Sequence, residues 1–205
     1  LIKLKNMIQD GELGKVRYLA ATCAESVDLS TSWWADENRS GPAALYRTGI
    51  YALDIISWFK QENAHEVMAM GTYKGDEEIN TAVSVIMRYE DGELGYALGS
   101  CAYKNPVHSV TVEGTEGRVR LEGNFTSDSE LVSKEFIGSE EKESTFEKKD
   151  LLSEMTGSFV RAVSEGGEYR PTGVDGKTLV EVCCAVIESM KIKRAFKVGE
   201  VLRLT

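Results

Sequence analysis

Histidine and proline are scarce in this sequence and long apolar runs are absent, which excludes several classes of protein. Two histidines and four cysteines occur among 205 residues, and no two cysteines form a Cys-x-x-Cys pair. That spacing does not predict a zinc site, because structural zinc sites use paired cysteines or histidines. We interpret the cysteines as reduced and mostly buried thiols of a cytoplasmic protein. No apolar run approaches the roughly 20 residues that a membrane-spanning helix requires.

Motifs that bind nucleotides or build common hydrolase sites are also missing. No Gly-x-Gly-x-x-Gly follows a predicted strand, and there is no P-loop and no Gly-x-Ser-x-Gly elbow. The net charge of -9 argues against a nucleic-acid backbone or an anionic membrane surface as the partner. Present instead are 42% hydrophobic and 28% charged residues, enough for one soluble domain with a sizeable core. Leu1 opens the sequence inside a predicted helix, so we expect a fragment or a processed form.

The periodicity of the apolar residues predicts helices towards both ends of the chain and strands between them. Helical spacing occurs in Leu1–Asp10, 41–60, Glu154–Ser164 and Val174–Lys191. Strand patterns occur in Val16–Ala24, Glu66–Tyr73, Ala82–Tyr89, Leu94–Tyr103, Ser109–Val112, Arg118–Glu122, Leu131–Ile137, Ser144–Lys148 and Val198–Leu204. The predicted fold class is α+β: a largely antiparallel, open-faced sheet with helices on one face.

The predicted helix that ends near Lys60 has two different faces. At about 100° per residue, its apolar residues form one stripe: Leu45, Gly49, Ala52, Ile56 and Phe59. The opposite stripe combines a cation, a phenol, a carboxylate and an indole: Arg47, Tyr51, Asp54 and Trp58. We expect the apolar stripe to pack on the core of the chain. A surface helix does not need the second set for its stability, so we expect that stripe to face a substrate, a cofactor or another domain.

The run GPAALYRTGIYALD, from Gly41 to Asp54, resembles the G-G-G-x-L-x-D-x-G-x-(H or Y)-x-x-D segment of the Gfo/Idh/MocA oxidoreductases. Other pieces fall in the family's order. IQDGELGKV at 8–16 resembles the family's lead into its first strand, and SWWAD at 32–36 resembles its W-R-x-D loop. Further matches are DG at 91–92, EGTEG at 113–117 and VDG at 174–176. The ordered set covers nearly the whole chain and is more specific than any one piece.

This resemblance implies that residues 1–205 are the C-terminal α/β domain of an NAD(P)-dependent oxidoreductase, a single substrate-binding and dimerisation domain. The family's N-terminal dinucleotide-binding Rossmann domain, with its Glu-Lys-Pro lysine, is not present in this chain. NAD or NADP is then bound mainly by that missing domain, and the fragment alone is inactive. The implied substrate is a sugar, a polyol or a related hydroxy compound. The implied partners are the Rossmann domain and a second copy of the chain, with no nucleic acid and no membrane.

Tyr51 stands at the His-or-Tyr position of the family motif, which makes it the candidate catalytic residue. A phenol can donate a proton to a substrate oxygen as hydride reaches the adjoining carbon, or accept one in reverse. Arg47 lies one turn earlier on the same face, close enough to favour the phenolate. The alternative is that Tyr51 is an amphipathic packing residue beneath the adjoining loop.

Four further residues are candidates for substrate binding: Arg47, Asp54, Trp33 and Trp34. Arg47 stands where the family often has Asp, which fits an acidic or phosphorylated substrate, a 2′-phosphate contact, or loss of the role. The plain alternative is a surface Arg47 paired with Asp54. Trp33 and Trp34 lie in the long loop from Ser26 to Gly41, where they could stack on a sugar ring or on a neighbouring domain, or anchor the loop.

Departures from the family pattern keep a second function open. Pro42 and Ala43 replace two motif glycines, and Trp34 stands where the family commonly has Arg. These changes fit a catalytically degenerate homologue that acts as a binding or scaffolding module. His65 and His108 lie in or beside predicted strands without a triad partner, and we interpret both as structural.

The uncovered face of the predicted sheet is expected to mediate self-association. Two sets of alternate apolar positions could form a patch on one face: Val83, Val85 and Met87, and Leu94, Tyr96 and Leu98. Monomeric proteins rarely expose large apolar patches. We therefore expect a homodimer or a higher oligomer that forms through the sheet face.

Overall fold

The computed structural model describes residues 1–30, 32–74, 79–125, 130–146 and 150–200, with the backbone alone at Leu151. In these ranges the helices are α1 Ile2–Gln9, α2 Glu37–Ser40, α3 Ile50–Lys60, α4 Leu151–Glu165 and α5 Gly173–Ile192. A 3-10 turn covers Trp33–Ala35, and a π-helical turn at Leu45–Gly49 runs directly into α3. The strands are β1 Val16–Ser26, β2 Glu66–Lys74, β3 Ile79–Arg88, β4 Leu94–Ser100, β5 Ala102–Gly114, β6 Gly117–Gly123, β7 Leu131–Ile137, β8 Glu140–Phe146 and β9 Phe196–Lys197.

The described strands form one open sheet in the order β8-β7-β6-β5-β1-β4-β3-β2-β9. Neighbouring strands are antiparallel except for β1 and β4, which run parallel at the centre. The sheet is therefore mostly antiparallel, and the α+β fold class is confirmed. No helix within the described ranges combines the length and the apolar character needed to cross a membrane.

One predicted strand, Leu94–Tyr103, is divided in the structure at Cys101. The reason is topological, because β1 lies between β4 and β5 and the chain must cross the end of β1 to pass from one to the other. At the crossing, the Val27 N–H donates a hydrogen bond of 2.9 Å to the Cys101 carbonyl. The last residues of the predicted strands Ser144–Lys148 and Val198–Leu204 lie outside the described residues.

The core lies between the sheet and the helices α3 and α5. Leu53 and Ile56 of α3 and Val182 and Val186 of α5 are almost fully buried against strand residues such as Val85. Burial of one such side chain contributes about 1.5–3 kcal/mol relative to full exposure. This layer fixes α3 on the sheet, and α3 carries Tyr51 and Asp54 of the predicted site.

The prediction that both apolar sets lie on one face of the sheet is wrong. Val83, Val85 and Met87 face the helices and are buried, and the antiparallel register sets them opposite Gly99, Ala97 and Gly95. The alternate residues of β4 point to the outer face of the sheet, where they pair with residues of β3. These pairs are Leu98 with Ser84, Tyr96 with Ile86, and Leu94 with Arg88. The two predicted sets therefore lie on opposite faces of the sheet.

Candidate functional site

The segment Leu45–Lys60 separates a buried face from an exposed face, as its periodicity predicts. All five residues of the apolar stripe are buried: Leu45, Gly49, Ala52, Ile56 and Phe59. On the other side, Tyr51 is 51% exposed, Trp58 is 37% exposed, and Asp54 is exposed as well. Arg47 is partly covered, with 36% of its side chain exposed. This exposed face is open to a ligand or to a second domain, while a role for its side chains is still a prediction.

A close contact between two glycines sets the height of this segment above the sheet. A β-carbon added at Gly99 of β4 would lie 2.4 Å from the Gly49 Cα, and one at Gly49 would lie 2.9 Å from Val83 Cγ1. Side chains at these positions would therefore separate the helix from the strand. Gly49 is the last residue of the π-helical turn, a geometry that is frequent at functional sites.

Arg47 pairs with Glu25. Its Nη2 lies 3.4 Å from Oε2 of Glu25, which stands near the carboxyl end of β1 with 17% of its side chain exposed. The alternative of an Arg47–Asp54 pair is therefore wrong, because seven residues of helix separate the two by about 10 Å along the axis. Since the Glu25 carboxylate offsets its charge, Arg47 is not an isolated cation beside Tyr51.

His108 of β5 faces the second oxygen of Glu25. Its Nε2 lies 3.6 Å from Glu25 Oε1, which is too long for a hydrogen bond. The Phe125 backbone N–H donates to Nδ1 at 2.9 Å, so the neutral ring carries its proton on Nε2. Burial lowers the pKa of His108 below 6.5, and the Glu25 carboxylate opposes that shift.

The proton on His108 Nε2 has no hydrogen-bond acceptor within the described structure. The side chain is 2% exposed, and its Nε2 is the buried side-chain polar atom without a hydrogen-bond partner among the described residues. A buried donor left without an acceptor costs about 1–3 kcal/mol. His108 is therefore a buried histidine with one unsatisfied donor, and its structural role stays a prediction.

The far end of the exposed face meets α1 and the start of α5. Lys5 Nζ lies 4.1 Å from the centroid of the Trp58 ring and donates to the Trp58 carbonyl at 2.9 Å. Desolvation, followed by the Asp175 carboxylate, raises the pKa of Asp54 above 3.8 although its side chain still reaches solvent. Trp58 therefore contacts Lys5 of α1. The charged group that acts on Asp54 is Asp175 of α5 rather than Arg47.

The two tryptophans of the loop form a stacked pair. Their ring centroids lie 4.1 Å apart with an angle of 27° between the planes. Trp34 packs on a small buried cluster that includes Ala43 and Ala44 at the start of the helical segment, whereas Trp33 is 49% exposed. Trp34 therefore anchors the loop, and Trp33 presents an exposed aromatic surface near the start of the helical segment.

Glu25 is the residue that the sequence analysis misses. Leu19, Ala21 and Cys23 place one face of β1 in the core, and Glu25 continues that face, so a charged residue at the end of a buried face is the available signal. Its contact with His108 depends on the pairing of Cys23 with His108 across β1 and β5. Such a non-local register cannot be read from local periodicity.

The exposed face can donate and accept hydrogen bonds and offers aromatic surface. Arg47 and Tyr51 supply donors, Asp54 supplies an acceptor, and Trp33 supplies a ring for stacking. Within the part of the chain that the structure describes, no group of three or more His, Cys, Asp or Glu side chains could hold a metal ion. The arrangement suits an organic ligand that carries several polar groups.

Comparisons with known proteins bear on the family and the fold of this chain. Residues 1–120 match the GFO/IDH/MocA C-terminal domain. Myo-inositol 2-dehydrogenase of Thermotoga maritima is 27% identical over 209 aligned residues, which cover 98% of this chain and 61% of the relative. The chain spans about three-fifths of the length of this relative.

Solved structures share the fold. Aldose-aldose oxidoreductase from Caulobacter crescentus, solved with glycerol, has a TM-score of 0.86 at 19% identity over 96% of this chain and 59% of that protein. Levoglucosan dehydrogenase, solved with NADH and L-sorbose, has a TM-score of 0.79 at 18% identity over 95% of this chain and 61% of that protein. Because the family match covers more than half of the residues, the chain belongs to the GFO/IDH/MocA oxidoreductase family and represents its C-terminal domain.

Proposed function

We propose that this chain is the substrate-binding and oligomerisation part of an NAD(P)-dependent oxidoreductase that acts on a sugar, a polyol or a related hydroxy compound. The observation that carries the proposal is the exposed face with Arg47 and Tyr51, on a helical segment whose opposite face is fully buried. The relatives support the substrate class, since their names refer to myo-inositol, aldoses and levoglucosan. The cytoplasm suits a chain whose four cysteines are free thiols.

The nicotinamide cofactor of this proposal accepts or supplies the hydride. Within the described residues, no glycine-rich turn leads from a strand into a helix N-terminus, as binding of a pyrophosphate requires. We therefore expect this chain to contact at most the nicotinamide end of the cofactor and not the whole dinucleotide. We assign the remaining contacts to a preceding dinucleotide-binding domain, which is consistent with the greater length of the relatives.

Tyr51 moves the proton in this proposal. When an alcohol is oxidised, the deprotonated Tyr51 oxygen would take the hydroxyl proton while hydride leaves the same carbon for the cofactor, and a carbonyl forms. In the reverse direction, the phenol donates that proton to the carbonyl oxygen. Arg47 holds neighbouring hydroxyls through hydrogen bonds, Asp54 contributes an acceptor, and Trp33 stacks on the ring of the substrate, with Trp34 anchoring the loop.

Oligomerisation is assigned to the outer face of the sheet. Exposed apolar side chains on this face are Tyr18, Met68, Met70, Ile86 and Leu94. Since monomers rarely leave such a surface uncovered, we expect a homodimer at tens of micromolar, the scale of an ordinary weak association. Light scattering checks this state, and Ile86→Lys with Met68→Lys should give a monomer. A wild-type monomer at that concentration would contradict the assignment.

Turnover by the full-length protein tests the catalytic proposal. The gene is expressed from its own start codon, and reduction of NAD⁺ and NADP⁺ is followed with a panel of polyols and sugars. Tyr51→Phe should lower kcat by roughly 10²-fold or more, the size expected for loss of a proton-transfer group. Tyr46→Phe, on the same segment but with its ring packed against Gly41, is the matched control and should retain turnover.

Two outcomes would redirect the proposal. Unchanged turnover in Tyr51→Phe would assign proton transfer to a residue outside this chain and leave Tyr51 a positioning group at most. A folded full-length protein without turnover on any substrate of the panel would favour a binding or scaffolding module. Arg47 at the motif's usual Asp position is the observation that favours this second function. In either case the isolated chain should bind neither NAD nor NADP with useful affinity, which calorimetric titration measures.

A further inference from the structure

Three polar side chains from separate elements meet near the carboxyl end of β1: Glu25, Arg47 and His108. Glu25 stands between the other two, with Oε2 3.4 Å from Arg47 Nη2 and Oε1 3.6 Å from His108 Nε2. His108 is 2% exposed, whereas 36% of the Arg47 side chain is exposed. The row therefore runs from the core to the exposed face that carries Tyr51.

A hydrogen bond at Nδ1 fixes the orientation of the His108 ring. The Phe125 N–H occupies Nδ1, so the proton of the neutral ring is on Nε2 and points towards Glu25. A shift of about 0.7 Å would bring Nε2–H and Oε1 within hydrogen-bond distance. The carboxylate can thus receive one donor from His108 while it holds Arg47 with its other oxygen.

We propose that Glu25 and His108 are positioning residues for Arg47, with Glu25 holding one edge of the guanidinium and His108 holding Glu25. The inference rests on the function proposed above for the exposed face. Arg47 has five N–H donors in a planar fork, and one carboxylate at one edge leaves the other donors available to a substrate. Because Glu25 offsets the charge of Arg47, the pair selects neutral hydroxyl oxygens over a second carboxylate or a phosphate.

The thiols that neighbour Glu25, Arg47 and His108 add no charge to this group of side chains. Cys23 lies opposite His108 on β1, and Cys101 lies 4.0 Å from the Thr48 hydroxyl at the crossing from β4 to β5. Burial, followed by the Glu25 carboxylate, raises the pKa of the Cys23 thiol to about 12. Burial also raises the pKa of Cys101. Both thiols are neutral, so within the described residues the Glu25 carboxylate is the charge that acts on the pKa of His108, and Arg47 acts through its pair with Glu25.

Nuclear magnetic resonance of the two imidazoles in this chain tests the inference without substrate or cofactor. Nitrogen chemical shifts should show the Nε2–H form of neutral His108, and the exposed His65 ring is the internal reference. Glu25→Gln should lower the pKa of His108 because a nearby negative charge is lost. Arg47→Met should raise that pKa, because Glu25 then acts on His108 without a competing cation. Arg47→Lys, which keeps the cation, should restore a titration close to that of the wild type.

The matched control removes an arginine of a different ion pair. Arg88 lies 2.8 Å from Glu66 at another place on the sheet, and Arg88→Met should leave the His108 titration unchanged. An Nδ1–H form in the wild type, or an Arg47→Met chain with an unshifted His108, would overturn the inference. These variants change partly exposed side chains, so the fold should persist.

Kinetics of the full-length oxidoreductase provide the second readout. Glu25→Gln should raise the KM for the polyol about tenfold, the equivalent of one weakened charge-assisted contact, with a smaller change in kcat. An unchanged KM in an active enzyme overturns the positioning role and leaves the proposed function intact. An inactive parent protein refutes the proposed function instead, and the imidazole titrations then decide the Glu25–His108 coupling by themselves.

Discussion

α3 and α4 both carry an apolar stripe at helical spacing, yet only the stripe of α3 is covered. Ala52, Leu53, Ile56 and Phe59 of α3 are buried. In α4 the corresponding side chains are more than half exposed: Leu152, Met155, Phe159, Val160 and Val163. Two helices with similar patterns thus have opposite environments in one chain.

The difference shows that periodicity reports a face that needs cover and does not identify what covers it. α3 can lie on the sheet because small residues, Gly49 and Ala52 on the helical segment and Gly95 and Gly99 on β4, let the backbones approach. The stripe of α4 consists of larger side chains, and the aromatic contact recorded for it is an edge-on pair of Phe159 and Tyr169, 5.3 Å between centroids. The stability of this chain should therefore depend on α3 far more than on α4.

The largest effect is expected where α3 is held to the sheet. Gly99→Ala places a β-carbon 2.4 Å from the Gly49 backbone, so the helix or the strand must move. We expect a loss of more than about 4 kcal/mol in the free energy of unfolding, the range of severe core disruption. Urea unfolding followed by circular dichroism measures it. Gly176→Ala, where nothing lies within 4 Å of the added carbon, is the control and should be neutral or slightly stabilising.

The next effect distinguishes the two helices with the same residue type. Phe59 of α3 is 7% exposed, and Phe59→Ala should cost about 3–5 kcal/mol, since it removes buried area and leaves a cavity. A lower denaturation midpoint with an unchanged m-value in urea would show that the native state alone is affected. A loss below about 1 kcal/mol would mean that α3 does not depend on this side of its packing.

The same comparison explains which features local patterns could predict. The stripe from Leu45 to Phe59 and the alternation in β3 depend on neighbours within one element, and both are confirmed. The register between β3 and β4 is not local. Tyr96 points outwards because the inner positions of β4 are taken by small residues beneath α3, which inverts the simple expectation that large apolar residues face the core.

The candidate site also contains one feature that local patterns predict and contacts that they do not predict. The exposure of Tyr51 follows from helical periodicity, so the sequence predicts it. The Arg47–Glu25 pair needs the π-helical turn and the end of β1 to meet, and the His108 contact needs the β1–β5 register. These contacts join residues that lie far apart in the sequence. Sheet topology and the packing of the helical segment on the sheet bring them together.

The smallest effect is expected on α4, in Phe159→Ala. The ring is 53% exposed, so little buried area is lost. Its edge-on contact with Tyr169 is worth at most about 0.5–1.5 kcal/mol, and Ala, the best helix former, returns part of that through propensity. We expect the free energy of unfolding to change by about 0.5 kcal/mol or less, measured in urea beside Phe59→Ala. Phe159→Leu, which keeps the apolar character, controls for the lost side-chain area. A loss as large as that of Phe59→Ala would contradict the comparison, because it would show that the α4 stripe is covered by another part of this chain in solution.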